Sequence, residues 1–348
     1  NSKQPLEIIM SVFSTDELSA NAFGGTELMK RGLEQRLDPE LLKHFHITAS
    51  RFRGADPDKI NIYWLHDLPA DPESSHLAQG GWNNFEKLVF VSNWQFQQYQ
   101  QYFGIPWHKC IVLQNAIDPI PVAEKSKDKI KLIYNTTPHR GLELVVPIFD
   151  ALCERFDNLE LDVFSSFKAY GWEQRDEPYK ELFDRCEAHP KINYHGFQPN
   201  DVVRQALSEA HIQIYPSIWL ETSCIALMEA MSAKCLCIHP NYGALPETSA
   251  NWSWMYQWQQ DKRDHANVAY GYLVNAIENY WSDSVQTRIA GQKSYADVFY
   301  SWDLRAHQWN ALLGGILHEK KIAYTPSQEW SWLWSTNSRI LSLWLLLI

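Results

Sequence analysis

The stretch ETSCIALMEAM, residues 221–231, decides how this chain is read. It lies between two apolar runs, HIQIYPS (211–217) and CLCIHPN (235–241). Short apolar runs of this kind read as buried strands, and TSCIALMEAMSA (222–233) between them reads as a helix. Glu221 then stands at or before the helix start, and Glu229 about two turns further in. At 1.5 Å per residue the two carboxylates span about 12 Å, roughly the reach from a sugar, across a diphosphate, to a ribose. The amides of Thr222, Ser223 and Cys224 would be the unpaired donors of the first turn, a natural site for a diphosphate. On spacing alone, a helix-start charge and an exposed face residue explain the pair more simply.

Working outward, the same alternation recurs. LEIIMSVF (6–13), HFHITAS (44–50), NIYWLHDL (61–68), KLVFVSN (87–93) and CIVLQNAID (110–118) read as strands, with helices over 24–37 and 94–104. PIPVAEKSKDK (119–129) breaks the pattern and reads as a linker. A second series follows: strands over 130–137, 159–166 and 191–197, a helix over 141–156 that Pro147 should kink, and a helix over 200–210 with Asn200 as its N-cap. The segment from about 261 to 320 reads as mostly helical. Apolar runs with little alternation suit parallel sheets covered on both faces, so two doubly wound α/β domains are expected. Ligands in such folds bind beyond the carboxyl ends of the strands.

Composition narrows the function. The 348 residues carry a formal net charge of −10, and the basic pieces are short, which argues against a nucleic-acid surface. Aromatics make up 14%, including 16 Trp, read here as packing more than sugar stacking. Six cysteines show no C-x-x-C pair; Cys235 and Cys237 should share a buried strand face, and a reduced, cytoplasmic setting is expected. None of the 13 histidines has metal-ligand spacing, and Asp56-Pro57-Asp58 reads as a turn, so no metal is expected. No run is long enough to span a membrane. The Trp- and Leu-rich end (323–348) is expected to pack or to be an expression artefact, with at most peripheral membrane contact.

The pattern E-x7-E with ALMEAMSAKC, and GALPE after the next strand, resembles the donor-site signature of the retaining nucleotide-sugar glycosyltransferases of glycosyltransferase family 4, which have the two-domain GT-B fold. The likeness runs over about 6–310 and is strongest over 191–247. It implies that Glu221 contacts the donor hexose and Glu229 the ribose. TTPHRGLE (136–143) is similar to the family's diphosphate loop, with Arg140 in place of the usual Lys and with Thr136 and Thr137 beside it. Asn135 stands where the family carries a further Arg. NAFGGTE (21–27) resembles its glycine-rich loop, placing Gly24 and Gly25 near the donor. The resemblance also puts His66, at the end of a strand, near the reacting sugar; read alone it is more simply a satisfied core histidine. Tyr215, Pro216 and Ser217 are implied near the base, Gly243, Ala244 and Leu245 as amide donors, and Asp67 and Asn93 on the acceptor side.

These readings assemble into a GT-B enzyme, with an acceptor-side domain over 1–118, a linker over 119–129, a donor domain over 130–300 and a closing helix over 301–322. The expected activity is retaining, metal-independent transfer of a hexose or deoxyhexose from a nucleoside diphosphate sugar to a glycan or other hydroxyl acceptor. Glu221, Arg140 and His66 would carry the chemistry, and Thr222, Ser223 and Cys224 the diphosphate. No cofactor is expected. The rivals are a nucleotide-sugar epimerase and a sugar-nucleotide-binding assembly protein.

Overall fold

Both apolar series form parallel sheets. The computed structural model describes residues 24–327. The strand expected over 6–13, residues 21–23 of the glycine-rich loop and the segment 328–348 lie outside the described residues. The first half runs α1 (Gly25–Glu34), α2 (Pro39–Leu42), β1 (Phe45–Ala49), β2 (Ile60–Leu65), β3 (Lys87–Phe90), α3 (Asn93–Phe103) and β4 (Cys110–Val112). Its strands pair in the order β1-β2-β3-β4, all parallel. Residues 118–127 have no regular structure.

The second half runs β5 (Ile130–Tyr134), α4 (Leu142–Cys153), β6 (Leu159–Val163), α5 (Lys180–Ala188), β7 (Ile192–Tyr194), α6 (Asn200–Glu209), β8 (Ile212–Ile214), α7 (Ile225–Ser232), β9 (Leu236–Pro240), α8 (Leu245–Ser249) and β10 (Trp254–Tyr256). Three helices follow: α9 (Lys262–Asn279), α10 (Asp283–Phe299) and α11 (Trp302–Glu319). The six-stranded parallel sheet has the order β10-β9-β8-β5-β6-β7. The chain leaves β5 in one direction for β6 and β7, then returns to β8 on the other side. The strand order therefore reverses between β5 and β8, and in open α/β sheets such a switch point opens a crevice for ligand.

Element ends follow side-chain chemistry. Ser92, Asp261, Ser282 and Ser301 accept hydrogen bonds from backbone amides at the starts of α3, α9, α10 and α11. Asn200 is not the N-cap of α6; Pro199 takes that position and the Asn200 side chain turns to Glu229. Pro147 lies inside α4, which runs unbroken from Leu142 to Cys153. Several strands stop sooner than their apolar runs suggest, and this leaves His66, Asn135 and Tyr215 just past the carboxyl ends of β2, β5 and β8. All six cysteines are unpaired, and Cys235 and Cys237 are buried. No described helix is long and apolar enough to cross a membrane.

Helix α11 returns to the first half. Trp302, Trp309, Leu313, Ile316 and Leu317 share one core with Met29, Leu33, Ile47 and Trp64. Trp309 is fully buried and meets the Trp64 ring edge-on at 5.1 Å. Replacing Trp309 by Ala is expected to lower unfolding stability by about 3–5 kcal/mol, the usual cost of emptying a large aromatic site. Denaturant titration checks this; a loss below ~0.5 kcal/mol would mean that α11 does not brace this core.

Candidate active site

A cavity of about 1180 Å³ opens at the β5/β8 switch point and is closed on its far side by the first half of the chain. Ligand pockets commonly measure about 300–1000 Å³, so this cleft lies just above the usual range. It is lined by Gly24, Gly25, His66, Asp67, Thr136, Thr137, Arg140, Glu221, Thr222, Ser223, Cys224 and Glu229, twelve of the residues expected from sequence.

Its centre is an ion pair between the loops after β5 and β8. Arg140 Nη1 donates to Glu221 Oε1 at 2.5 Å, and the Tyr215 hydroxyl donates to the same oxygen. Arg140 Nη2 donates to the Tyr170 hydroxyl at 3.1 Å. Glu221 is only 3% exposed. Burial alone would lower the Arg140 pKa; the negative charge of Glu221 chiefly outweighs it, so the guanidinium stays charged. The Glu221 backbone is held from behind by the GALPE turn. Ala244 N donates to Glu221 O at 2.8 Å, and a Cβ on Gly243, whose φ is +60°, would meet Glu221 N at 2.7 Å. The expectation that Gly243, Ala244 and Leu245 offer amides to a ligand is thereby corrected: this turn supports the Glu221 loop and does not line the cleft.

Glu229 is equally enclosed, at 6% exposure. Arg204 Nη1 donates to its Oε1 at 3.0 Å, and Asn200 Nδ2 lies at 3.3 Å. Burial raises the Glu229 pKa, opposed by Arg204 and Asn200. Arg204 also donates through Nη2 to the carbonyls of Asp118 and Pro119, at 2.9 and 3.1 Å. Sequence reasoning missed Arg204. Its one local signal is the i,i+4 spacing from Asn200, which puts both on one face of α6.

Between the two glutamates the backbone departs from expectation. Helix α7 starts at Ile225, so Glu221 lies in a loop and a helical rise of 12 Å does not describe the separation. The first-turn amides that lack an intrahelical acceptor belong to Ile225 and Ala226, which line the cleft. Thr222 is taken up structurally, its hydroxyl donating to His66 O at 2.7 Å and its carbonyl accepting from Ser92 Oγ at 2.6 Å. The hydroxyls of Thr136, Thr137 and Ser223, the amide nitrogen of Asn135 and Nε of Arg140 are buried without a hydrogen-bond partner within the protein. Buried polar atoms are normally paired, so their gathering around one cavity marks a polar ligand site.

Four expected residues are placed elsewhere. Tyr215, Pro216 and Ser217 do not line the cleft, because Tyr215 turns inward to Glu221 and Ser217 Oγ donates to Trp219 O. Asn93 is engaged by the opposite half: its backbone N and Nδ2 donate to Glu247 Oε1 at 2.8 and 2.9 Å, and Trp94 N donates to Oε2. Glu247 thus satisfies the first amides of α3 from across the cleft. Gly24 lies so close to the Tyr170 ring that a Cβ would sit 2.5 Å from it. His66 Nε2 is enclosed and unpartnered, and burial lowers the ring to about 3. Burial, then the charge of Asp71, raises the Asp67 carboxyl to about 6. Among the described residues no group of three or more His, Cys, Asp and Glu side chains could hold a metal ion.

Residues 115–266 match the family model of glycosyl transferases group 1. No curated protein matches the chain by sequence. Among solved structures, a glycosyltransferase from Rickettsia africae ESF-5 shares 16% identity at a TM-score of 0.61, over 91% of this chain and 83% of that one. The pneumococcal O-GlcNAc transferase GtfA, in complex with UDP and GlcNAc, shares 11% identity at a TM-score of 0.58; 75% of this chain covers about half (53%) of its length. Anabaena Alr3699/HepE in complex with UDP-glucose shares 14% identity at a TM-score of 0.55, over 75% of this chain and 72% of that one. The fold is that of GT-B glycosyltransferases, and the family match supports a glycosyltransferase.

The depressed pKa of His66 has a measurable consequence. Between its ordinary value of 6.5 and about 3, the unfolded chain binds a proton that the folded chain refuses. Stability from this site is therefore full above pH 6.5 and is lost as pH falls towards 3. His66→Gln should flatten the decline of Tm across that window; an unchanged slope would contradict the burial of a neutral imidazole.

Proposed function

We propose that the chain is a retaining glycosyltransferase that moves a hexose or deoxyhexose from a nucleoside diphosphate sugar to a hydroxyl of a glycan or other acceptor. The observation that carries this reading is the convergence of Arg140, two buried carboxylates and a set of unpartnered hydroxyls on one cavity at a topological switch point. In this account the diphosphate lies against Thr136, Thr137, Ser223 and the first amides of α7, with Arg140 at its oxygens. Glu221 orients the sugar, Glu229 accepts from the ribose hydroxyls, and neutral His66 hydrogen-bonds the reacting sugar.

Transfer breaks the bond from the anomeric carbon to the phosphate oxygen and forms one to the acceptor oxygen on the same face. The acceptor proton passes to the leaving phosphate, so no covalent nucleophile is named. The protein's contribution is position and fixed positive charge where negative charge develops. Guanidinium and helix amides supply that charge, and activity is expected to persist in a chelator.

One observation favours a second reading, a nucleotide-sugar-binding protein without turnover. Both Nη atoms of Arg140 already have partners, and Asn135 adds no charge beside it.

Turnover separates the two. UDP-, GDP-, ADP- and TDP-sugars are incubated with hydroxyl acceptors, with and without EDTA, and nucleotide release and product anomer are read by NMR. The proposal expects one donor class to turn over with retention and Glu229→Ala to raise its KM. Arg140→Met should lower kcat by about 10²–10³, as for loss of one oxyanion-stabilising donor. An inverted product, or activity abolished by chelation, contradicts the mechanism. Binding without release of nucleotide under any acceptor selects the second reading. Release of a new sugar isomer without an acceptor selects an epimerase.

A further inference from the structure

The charge around the cleft is unevenly spent. Arg140 is matched by Glu221, Arg204 by Glu229, and Glu73 by Arg53 at 2.6 Å. A diphosphate or an anionic acceptor group carries net negative charge that internally matched pairs do not offset. Two other cations line the same cavity: Arg51, from the loop after β1, and Arg175, from the 3₁₀ segment Glu173–Tyr179 that follows β6. Their guanidinium carbons lie 5.4 and 4.2 Å from the centre of the same ring, Trp172, which also lines the cavity.

Neither arginine has a carboxylate within ion-pair distance among the described residues, although Arg51 lies in the field of Glu27, Asp67 and Glu73. Asp176 accepts from Ser166 Oγ and Phe167 N, Glu173 lies 3.7 Å from Lys168, and Asp71 accepts from the amide of Glu73. A cation–π contact steadies the charge but uses none of the five in-plane N–H donors of a guanidinium. Two forks thus stand at a cleft wall with no hydrogen-bond acceptor among the described residues, one from each half of the molecule.

We propose that Arg51 and Arg175, held on Trp172, form a second anion site in the cleft, which takes a phosphate-type group. The group comes either from the donor, as part of its diphosphate, or from an acceptor that carries a phosphate. Arg140 and Arg175 both act on His139, whose pKa burial and these charges lower to about 4, so the site adjoins the donor loop. The existence of the site stands without the proposed reaction; the choice between donor and acceptor rests on that reading.

The test is calorimetric titration with inorganic phosphate and with UDP, GDP, ADP and TDP on the wild type, Arg51→Gln, Arg175→Gln and Arg175→Lys. Arg51→Gln and Arg175→Gln should each weaken phosphate about tenfold or more, the loss of one charge-assisted hydrogen bond. Arg175→Lys keeps the charge but loses the stacked fork, so its affinity should fall between those of the wild type and Arg175→Gln. Unchanged melting temperatures in the two Gln variants show that the loss is of a site and not of folding. Phosphate that still binds in a saturating concentration of the nucleoside diphosphate that binds best assigns the site to the acceptor, and competition assigns it to the donor. Phosphate affinity in both Gln variants equal to wild type, or no phosphate binding by wild type, overturns the proposal. Failure of all four nucleoside diphosphates to bind, with the phosphate results as expected, would count against the proposed function and leave the site standing.

Discussion

Everything in the cleft is arranged around the buried contact of Arg140 with Glu221. The contact joins the carboxyl ends of β5 and β8, the two strands between which the sheet reverses its order. A buried ion pair adds little net stability, because desolvation consumes the Coulomb gain, but loss of one partner leaves an uncompensated charge worth about 3–5 kcal/mol. The pair therefore locks two loops in register more than it stabilises the domain. Ala244 and Gly243 hold the Glu221 backbone, and Tyr215 and Arg140 hold its carboxylate through one oxygen.

The far wall of the cleft is supplied by contacts that cross between the halves. Glu247 caps α3, Thr222 bridges to His66 and Ser92, Tyr170 rests on Gly24, and α11 returns to the core of the first half. Several of these residues sit in the motifs that face the ligand. Thr222, which lines the cleft, is thus also one of the residues that join the halves.

The two parallel series were legible because buried parallel strands write themselves as apolar runs; the loop residues that line the cleft were reached through the resemblance of their motifs to a known family. What escaped had little local signature. Arg204 and Asn200 reach Glu229 only because α6 and α7 flank β8. Tyr215 follows a strand, as a base-contacting residue would, but its ring turns to the interior, where one hydroxyl satisfies Glu221. Asn93 looked like a free polar residue in the cleft, and its partner lies 154 positions away. The segment over 167–179, with Tyr170, Trp172 and Arg175, has neither strand nor long-helix periodicity and shows its place only in three dimensions.

The most direct measurement is the structure of the protein with a nucleoside diphosphate bound. The account predicts the diphosphate at Arg140, in the place of the Tyr170 hydroxyl, with its remaining oxygens on Thr136, Thr137, Ser223 and the first amides of α7, and the ribose at Glu229. A nucleotide bound outside the cleft, with Arg140 still on Tyr170, would contradict it.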